Sequence, residues 1–434
     1  MFRRRFLFDD DRCTGASSMR IFRIAAAAVL MVSLAACGDD SPTTDSDKIT
    51  GNITLQTWAL TPKFTDYLNE VIAGFTAKYP GTSVKLLDQP GDGYSEKVLA
   101  QASSNTLPDV INLPPDFALP LAKQNLLVDV GKGDDLSKTY VQGGIDAYKF
   151  NGVDGVYGYP WYLNTDLDYW NVKQFKDCGL DANTPPATTQ ELFTQAATMK
   201  AKCPDNFLMS RKPDVSDFVR AGIKITSDDG KQFVFNTDQA AALVDQYRDA
   251  FAKGYLPPSV LNSDYQGNSK LFTQGKVAWT TGGATGLTDF QRDNPSLKGQ
   301  VAVSKALDTP PLYVQGVSVS SKSRYPATAK AFAQWITNAD NQNKFGHLVN
   351  IFPSTLASAS DSYFGSDDGT PAGKAKALAF GELKDAKNLI PYEVNADMQK
   401  LLDQQIALAV KGDVTSKKAL DDAVAKMNQM LSRQ

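Results

Sequence analysis

Three tryptophans stand where a chain that binds a ring-shaped polar solute would place them. Trp58 ends the alternating run Ile53-Thr54-Leu55-Gln56-Thr57-Trp58, Trp161 and Tyr162 follow Tyr159-Pro160, and Trp279 sits beside Gly282-Gly283. An indole offers a broad apolar face that packs on the C–H face of a pyranose, while carboxylates and amides exchange hydrogen bonds with the hydroxyls. In α/β sheets such ligands lie beyond the carboxyl ends of the strands, where these rings fall. The other reading of each tryptophan is plain core filling, and the residue pattern alone leaves both open.

Catalytic alternatives find less support. There is no G-x-S-x-G elbow, no Walker loop, no H-E-x-x-H and no C-x-x-C pair. His347 is the single histidine, which removes any zinc site built on two and leaves one candidate for imidazole acid–base work. The glycine-rich stretch Gly282-Gly283-Ala284-Thr285-Gly286 lacks the spacing of a phosphate cradle, and no cofactor is expected. Aspartate and glutamate total 48, enough that a pair acting in glycoside hydrolysis stays open as a second reading. A net charge of -3 without a basic tract speaks against a nucleic-acid surface.

The elements that must hold the aromatics in place alternate in type. The strand at Ile53–Trp58 precedes a helical run (Phe64, Tyr67, Leu68, Val71, Ile72, Phe75, Tyr79) that stops at Pro80-Gly81. A strand over 84–87, a helix over 95–103 and a strand over 110–113 follow; Asn151-Gly152 predicts a hairpin. Further strands are expected at 276–280 and 314–319, and nearly everything beyond Pro326 reads as helix. This order predicts an α/β fold with largely parallel pairing, and 434 residues predict two domains.

The amino terminus reads as an export signal that starts at Met19, with residues 1–18 an upstream extension of the reading frame. Arg20 and Arg23 precede the apolar Ile24–Leu34, which is too short to span a bilayer and suits a signal peptide over 19–36. Leu34-Ala35-Ala36-Cys37 resembles the bacterial lipobox, which implies a lipidated Cys37. The polar segment 38–48 then reads as a flexible tether. In an exported chain, Cys178 and Cys203 are expected to form a disulfide across a helix opened by Thr188-Thr189-Gln190-Glu191.

Taken in order, several segments resemble the extracellular solute-binding proteins of sugar ABC importers. They are Ile53–Trp58, Tyr94-Ser95-Glu96-Lys97, Leu107-Pro108-Asp109-Val110, Gly155–Trp161, Phe272–Ala278 and Gln315–Val319, closed by the helix pair over 407–427. The resemblance implies the two-lobe periplasmic-binding-protein fold, with hinge crossovers and ligand in the cleft between lobes. It implies a first lobe of 49–159 and 275–322 and a second of 160–274 and 323–434. It places Tyr94, Asp116, Trp279, Gly283 and Gln315 on the cleft, with Asp217 and Arg211 as second-lobe contacts. Asp116 has the alternative role of helix N-cap, and Leu113 stands where maltose-binding proteins carry a stacking tryptophan. The implied function is capture of a sugar by a non-catalytic, monomeric lipoprotein that delivers it to permease subunits driven by a cytoplasmic ATPase. A charged solute, a polyamine or a phosphorylated polyol, is the alternative ligand.

Overall fold

The computed structural model describes residues 48–262, 267–349 and 351–433. Its frame is a six-stranded sheet in the order β2-β1-β3-β8-β4-β9 and a three-stranded sheet in the order β6-β5-β7. In chain order the strands are β1 (Gly51–Trp58), β2 (Thr82–Gln89), β3 (Val110–Leu113), β4 (Tyr159–Asn164), β5 (Leu167–Asn171), β6 (Trp279–Gly282), β7 (Val301–Ser304), β8 (Tyr313–Val319) and β9 (Phe352–Pro353). The helices α1 (Thr65–Lys78), α2 (Tyr94–Ser103) and α3 (Pro115–Lys123) connect or follow the first three strands. Two sheets clothed in helices give the expected α/β class, but not the largely parallel pairing: β1 pairs parallel with β2 and β3, and the five other pairings of the named strands are antiparallel. The lipobox cysteine Cys37 and the segments around it lie outside the described residues.

Register decides which strand ends meet. β1 runs parallel to β2 from Gly51↔Thr82 to Trp58↔Gln89, and parallel to β3 at Leu55↔Val110. β8 is antiparallel to β3, with Gly316 opposite Leu113, and β4 is antiparallel to β8, with Asn164 opposite Tyr313. The carboxyl ends of β1, β2, β3 and β4 therefore share one edge of the large sheet with the amino end of β8. From that edge the chain crosses at Thr165-Asp166 into β5 of the small sheet.

β5 reads L-D-Y-W-N and is buried throughout, as a strand covered on both faces must be. Leu167 and Tyr169 face the core of the large sheet, while Trp170 faces a second core with Phe175, Phe218, Trp279 and the helices Ala396–Lys411 and Ser416–Leu431. Period-two alternation thus sends one strand into two cores. The expected disulfide is present: Cys178 and Cys203 bridge with Cα atoms 5.5 Å apart across the helix Thr189–Lys202. Thr188 caps that helix through Glu191 N–H at 3.2 Å, but Glu191 answers to Ala187 N–H rather than to Thr188, so the capping box is half formed.

The strand pairing and packing depart from the expected lobe limits in three places. Within 275–322 only β8 joins the large sheet; β6 and β7 pair with β5. Conversely the helices Pro326–Ile336 and Ala339–Leu348 pack on the large sheet through Ala329, Phe332, Ala333, Ile336 and Phe345. The crossing out of the large sheet also comes after Asn164 rather than at Tyr159. Short strands and helices of similar apolar content carry no local mark of the sheet they will join, which is why the boundaries were not legible.

Candidate functional site

Trp58 closes β1 at the shared strand edge and is only partly buried. Its ring stacks on Tyr94 at 5.5 Å and 11°, leans on Phe117 at 5.5 Å, and donates its N–H to Gly91 O at 3.1 Å. Tyr94 is 2% exposed, its hydroxyl donating to Asn112 O at 2.8 Å, so it is the backing of the indole and not an open surface. Behind Trp58, Asp88 accepts from the hydroxyls of Thr57 and Thr61 and from the N–H groups of Leu60 and Thr61. Desolvation works against the Asp88 charge, but these four donors together hold the carboxyl below its usual range.

Asp116 follows β3 as the second residue of α3. Pro114 occupies the N-cap position and makes no side-chain cap, so Asp116 is not the cap of this helix. The side chain is open to water, yet enough protein crowds its carboxyl that desolvation pushes its pKa up, against the pull of the Asp116 and Phe117 amides. Asp116 thus stands at the strand edge as a carboxylate that solvent reaches and neighbouring protein crowds. The phenols of Tyr148 and Tyr392 lie near enough to feel its charge. Tyr392 comes from the segment between the helices Pro371–Glu382 and Ala396–Lys411, so the site draws on a third, distant stretch of chain.

Around this carboxylate the strand edge adds polar groups. Gln315 of β8 accepts from Asn112 Nδ2 at 3.3 Å, and Tyr162 of β4 pairs in register with Gln315 and is half-buried. Gly283 brings β6 against the end of β4: a Cβ there would stand 3.2 Å from Asn164 Nδ2, and its carbonyl accepts from Tyr169 Oη at 2.7 Å. Tyr313, 49% exposed at the first position of β8, donates to Asp166 at 3.0 Å.

Three expected site residues lie elsewhere. Trp161 is fully buried, packed on Phe345 and Tyr162, at the irregularity of β4 where its register with β8 shifts between Pro160 and Tyr162. Trp279 is 1% exposed and faces Trp170 in the second core, at the end of β6 remote from the crossing. Asp217 accepts from Asp214 N–H in the capping box of the helix Val215–Arg220 and pairs with Arg211 and Arg220. All three are committed to structure, and Arg211 with them. Phe117, Tyr148, Asp166, Tyr313 and Tyr392 were missed; only Tyr313 had a signal, the out-facing alternation of Tyr313 and Gln315 around Val314.

A depression of about 410 Å³ lined by Trp335, Asn338, Lys344 and His347 lies on the outer helices. It meets no strand end, and its indole N–H is already bonded to Val71 O, so the strand edge is the better site. Among the described residues no cluster of three or more His, Cys, Asp or Glu side chains is placed to hold a metal ion.

What the sheets and the strand edge define is a two-lobe binding protein. Residues 61–343 match the family of bacterial extracellular solute-binding proteins, and the chain belongs to that family. It is 23% identical over 385 residues to a binding protein of Brucella abortus, covering 85% of this chain and 90% of the other. Its fold is similar to that of a periplasmic-binding protein from Synechococcus sp. MITs9220 (TM-score 0.78, 24% identity, 88% and 99% of the two chains). It is also similar to that of the cyclic alpha-maltosyl-1,6-maltose binding protein from Arthrobacter globiformis (TM-score 0.71, 19% identity, 88% and 99%).

Proposed function

We propose that this protein captures a neutral sugar or oligosaccharide at the strand edge between its two lobes and delivers it to the permease of an ABC importer. The observation that carries this reading is the pairing of a half-open indole, Trp58 backed by Tyr94, with the reachable carboxylate of Asp116. The ring supplies an apolar stacking face and the carboxylate accepts hydroxyl hydrogens, which together are the chemistry of a pyranose. The ligand named for the Arthrobacter relative, a cyclic maltosyl-maltose, supports the same class. Gln315, Tyr162 and Gly283 complete the proposed lining. The protein acts without catalysis, as a monomer, held at the outer face of the cytoplasmic membrane by lipid on Cys37 after removal of a signal peptide.

A thermal-shift screen tests the ligand class. A saccharide present at one hundred times its Kd adds about 2.7 kcal/mol to stability, which raises the melting temperature measurably. Stabilisation by spermidine or glycerol phosphate and by no saccharide would overturn the sugar reading.

A further inference from the structure

β3 reads V-I-N-L and is buried at every position, so Asn112, 1% exposed, is a polar side chain inside an apolar strand. A buried amide that goes unbonded costs stability. Asn112 directs its Nδ2 hydrogens at neighbouring β8, donating to Gly316 O at 3.0 Å and to Gln315 Oε1 at 3.3 Å. Its own oxygen, Oδ1, is enclosed and accepts nothing among the described residues. The amide is thus only half satisfied, and what it achieves is to hold two acceptors of β8.

The direction of these bonds is fixed from the backbone outward. Gly316 O is a carbonyl and can only accept, so the Asn112 nitrogen has to face it; turned over, the amide would set oxygen against oxygen. With that nitrogen in place, Gln315 meets a donor and turns its oxygen towards it. The Gln315 nitrogen, Nε2, is left on the other side of the amide, not enclosed and with no protein partner among the described residues. Gln315 is half-buried at the strand edge, where Gly316 lies opposite Leu113 and Asp116 follows three residues later. The edge therefore carries a group that accepts, the Asp116 carboxylate, and a group that donates, the Gln315 NH2.

We propose that Asn112 is a positioning residue that holds Gln315 with its NH2 group free for ligand, so that the site offers a fixed donor beside a fixed acceptor. The proposal rests on the reading of the strand edge as a sugar site. A sugar hydroxyl both donates and accepts, and one seated against this pair is held in a single orientation, because reversing either group leaves like faces unpaired.

The test begins without ligand. Proton exchange of the side-chain NH2 groups is followed by NMR on protein carrying isotopically labelled glutamine and asparagine, the Gln315 signal being the one that Gln315→Glu removes. In the unaltered protein the Gln315 NH2 is expected to exchange with water as an unbonded amide does. Asn112→Asp changes what Gln315 meets: a carboxyl has at most one hydrogen, which Gly316 O takes, so the Gln315 amide turns over and donates to the new carboxyl. Its exchange is then expected to slow about tenfold. Slow exchange in the unaltered protein, or unchanged exchange in Asn112→Asp, overturns the proposal; a residue that only filled the strand would shift the melting temperature and not this rate. Binding is read by calorimetric titration with cyclic maltosyl-maltose. Gln315→Glu keeps the bond from Asn112 and replaces the free NH2 by oxygen, and it is expected to weaken binding about tenfold; full affinity in this variant removes the donor role. Failure of the unaltered protein to bind this or any screened saccharide sinks the sugar reading and leaves the exchange result standing, and a failed exchange result does the reverse.

Discussion

At the scale of single residues, burial separates two tryptophans that the sequence treats alike. Trp161→Ala removes a fully enclosed indole and is expected to cost about 3–5 kcal/mol of folding stability. Trp58→Ala opens a half-exposed site instead. It is expected to weaken sugar binding about ten- to hundredfold, a loss of ~1–3 kcal/mol, with a smaller effect on stability. Calorimetric titration and denaturant melts on both variants distinguish the two; a Trp58→Ala protein of full affinity removes Trp58 from the site. Asp116 adds a pH dependence. Its carboxyl titrates above the ordinary range because it is crowded, so ionising it costs apo stability as pH rises through that raised value. The ionised form is the one that accepts ligand hydroxyls, so affinity is expected to fall as pH drops through the same window. Asp116→Asn should flatten the affinity profile as pH falls through and below the raised value; an unchanged profile assigns the effect to another group.

Among the elements, the helix Thr189–Lys202 shows how a sequence marks its own boundaries. Thr188 caps its start, and the two cysteines flank it closely enough to bridge. With 25 residues of separation, the cross-link restricts the unfolded chain by about 3–4 kcal/mol on the loop-entropy account. Replacing both cysteines by serine is expected to lower stability by about that amount in urea melts and to leave sugar affinity intact, because the bridge joins only second-core elements. Loss of affinity without loss of stability would give the bridge a role in the site. β5 is the contrasting case. Its sequence L-D-Y-W-N carried no strand expectation, and that its two faces serve different cores is a property of what packs on each side.

For the whole molecule, the proposed attachment to a membrane rests on lipid at Cys37. Among the described residues no helix is long and apolar enough to cross a bilayer. Cys37→Ser is expected to move the protein from the membrane fraction to the soluble extracytoplasmic fraction in a strain lacking the importer. Retention of the variant in washed membranes would count against the anchor. Thr165-Asp166, residues 305–312 and residues 383–395 run between the elements of the two cores.

The alternating and helical periods, the capping residues and the paired cysteines were enough to read the α/β class, most elements and the disulfide. Those signals are local: side-chain direction repeats every two residues in a strand and every 3.6 in a helix, whatever the partner. At Asn151-Gly152 the expected hairpin is reduced to a tight turn, with Gly152 at a φ of 73° and Phe150 bridged to Val153 but no strand pair flanking it. Which sheet a strand joins is set by register and by contacts hundreds of residues apart, so β6 and β7 fell on the unexpected side. The site divided along the same line. Trp58 and Asp116 sit at the ends of strands that the sequence could place, whereas Trp161 and Trp279 are held in core by packing on Phe345 and Trp170, neighbours distant in the chain. Tyr392 lies near enough to the Asp116 carboxyl to feel its charge because residues 383–395 pass that way; nothing in its own segment announced that nearness.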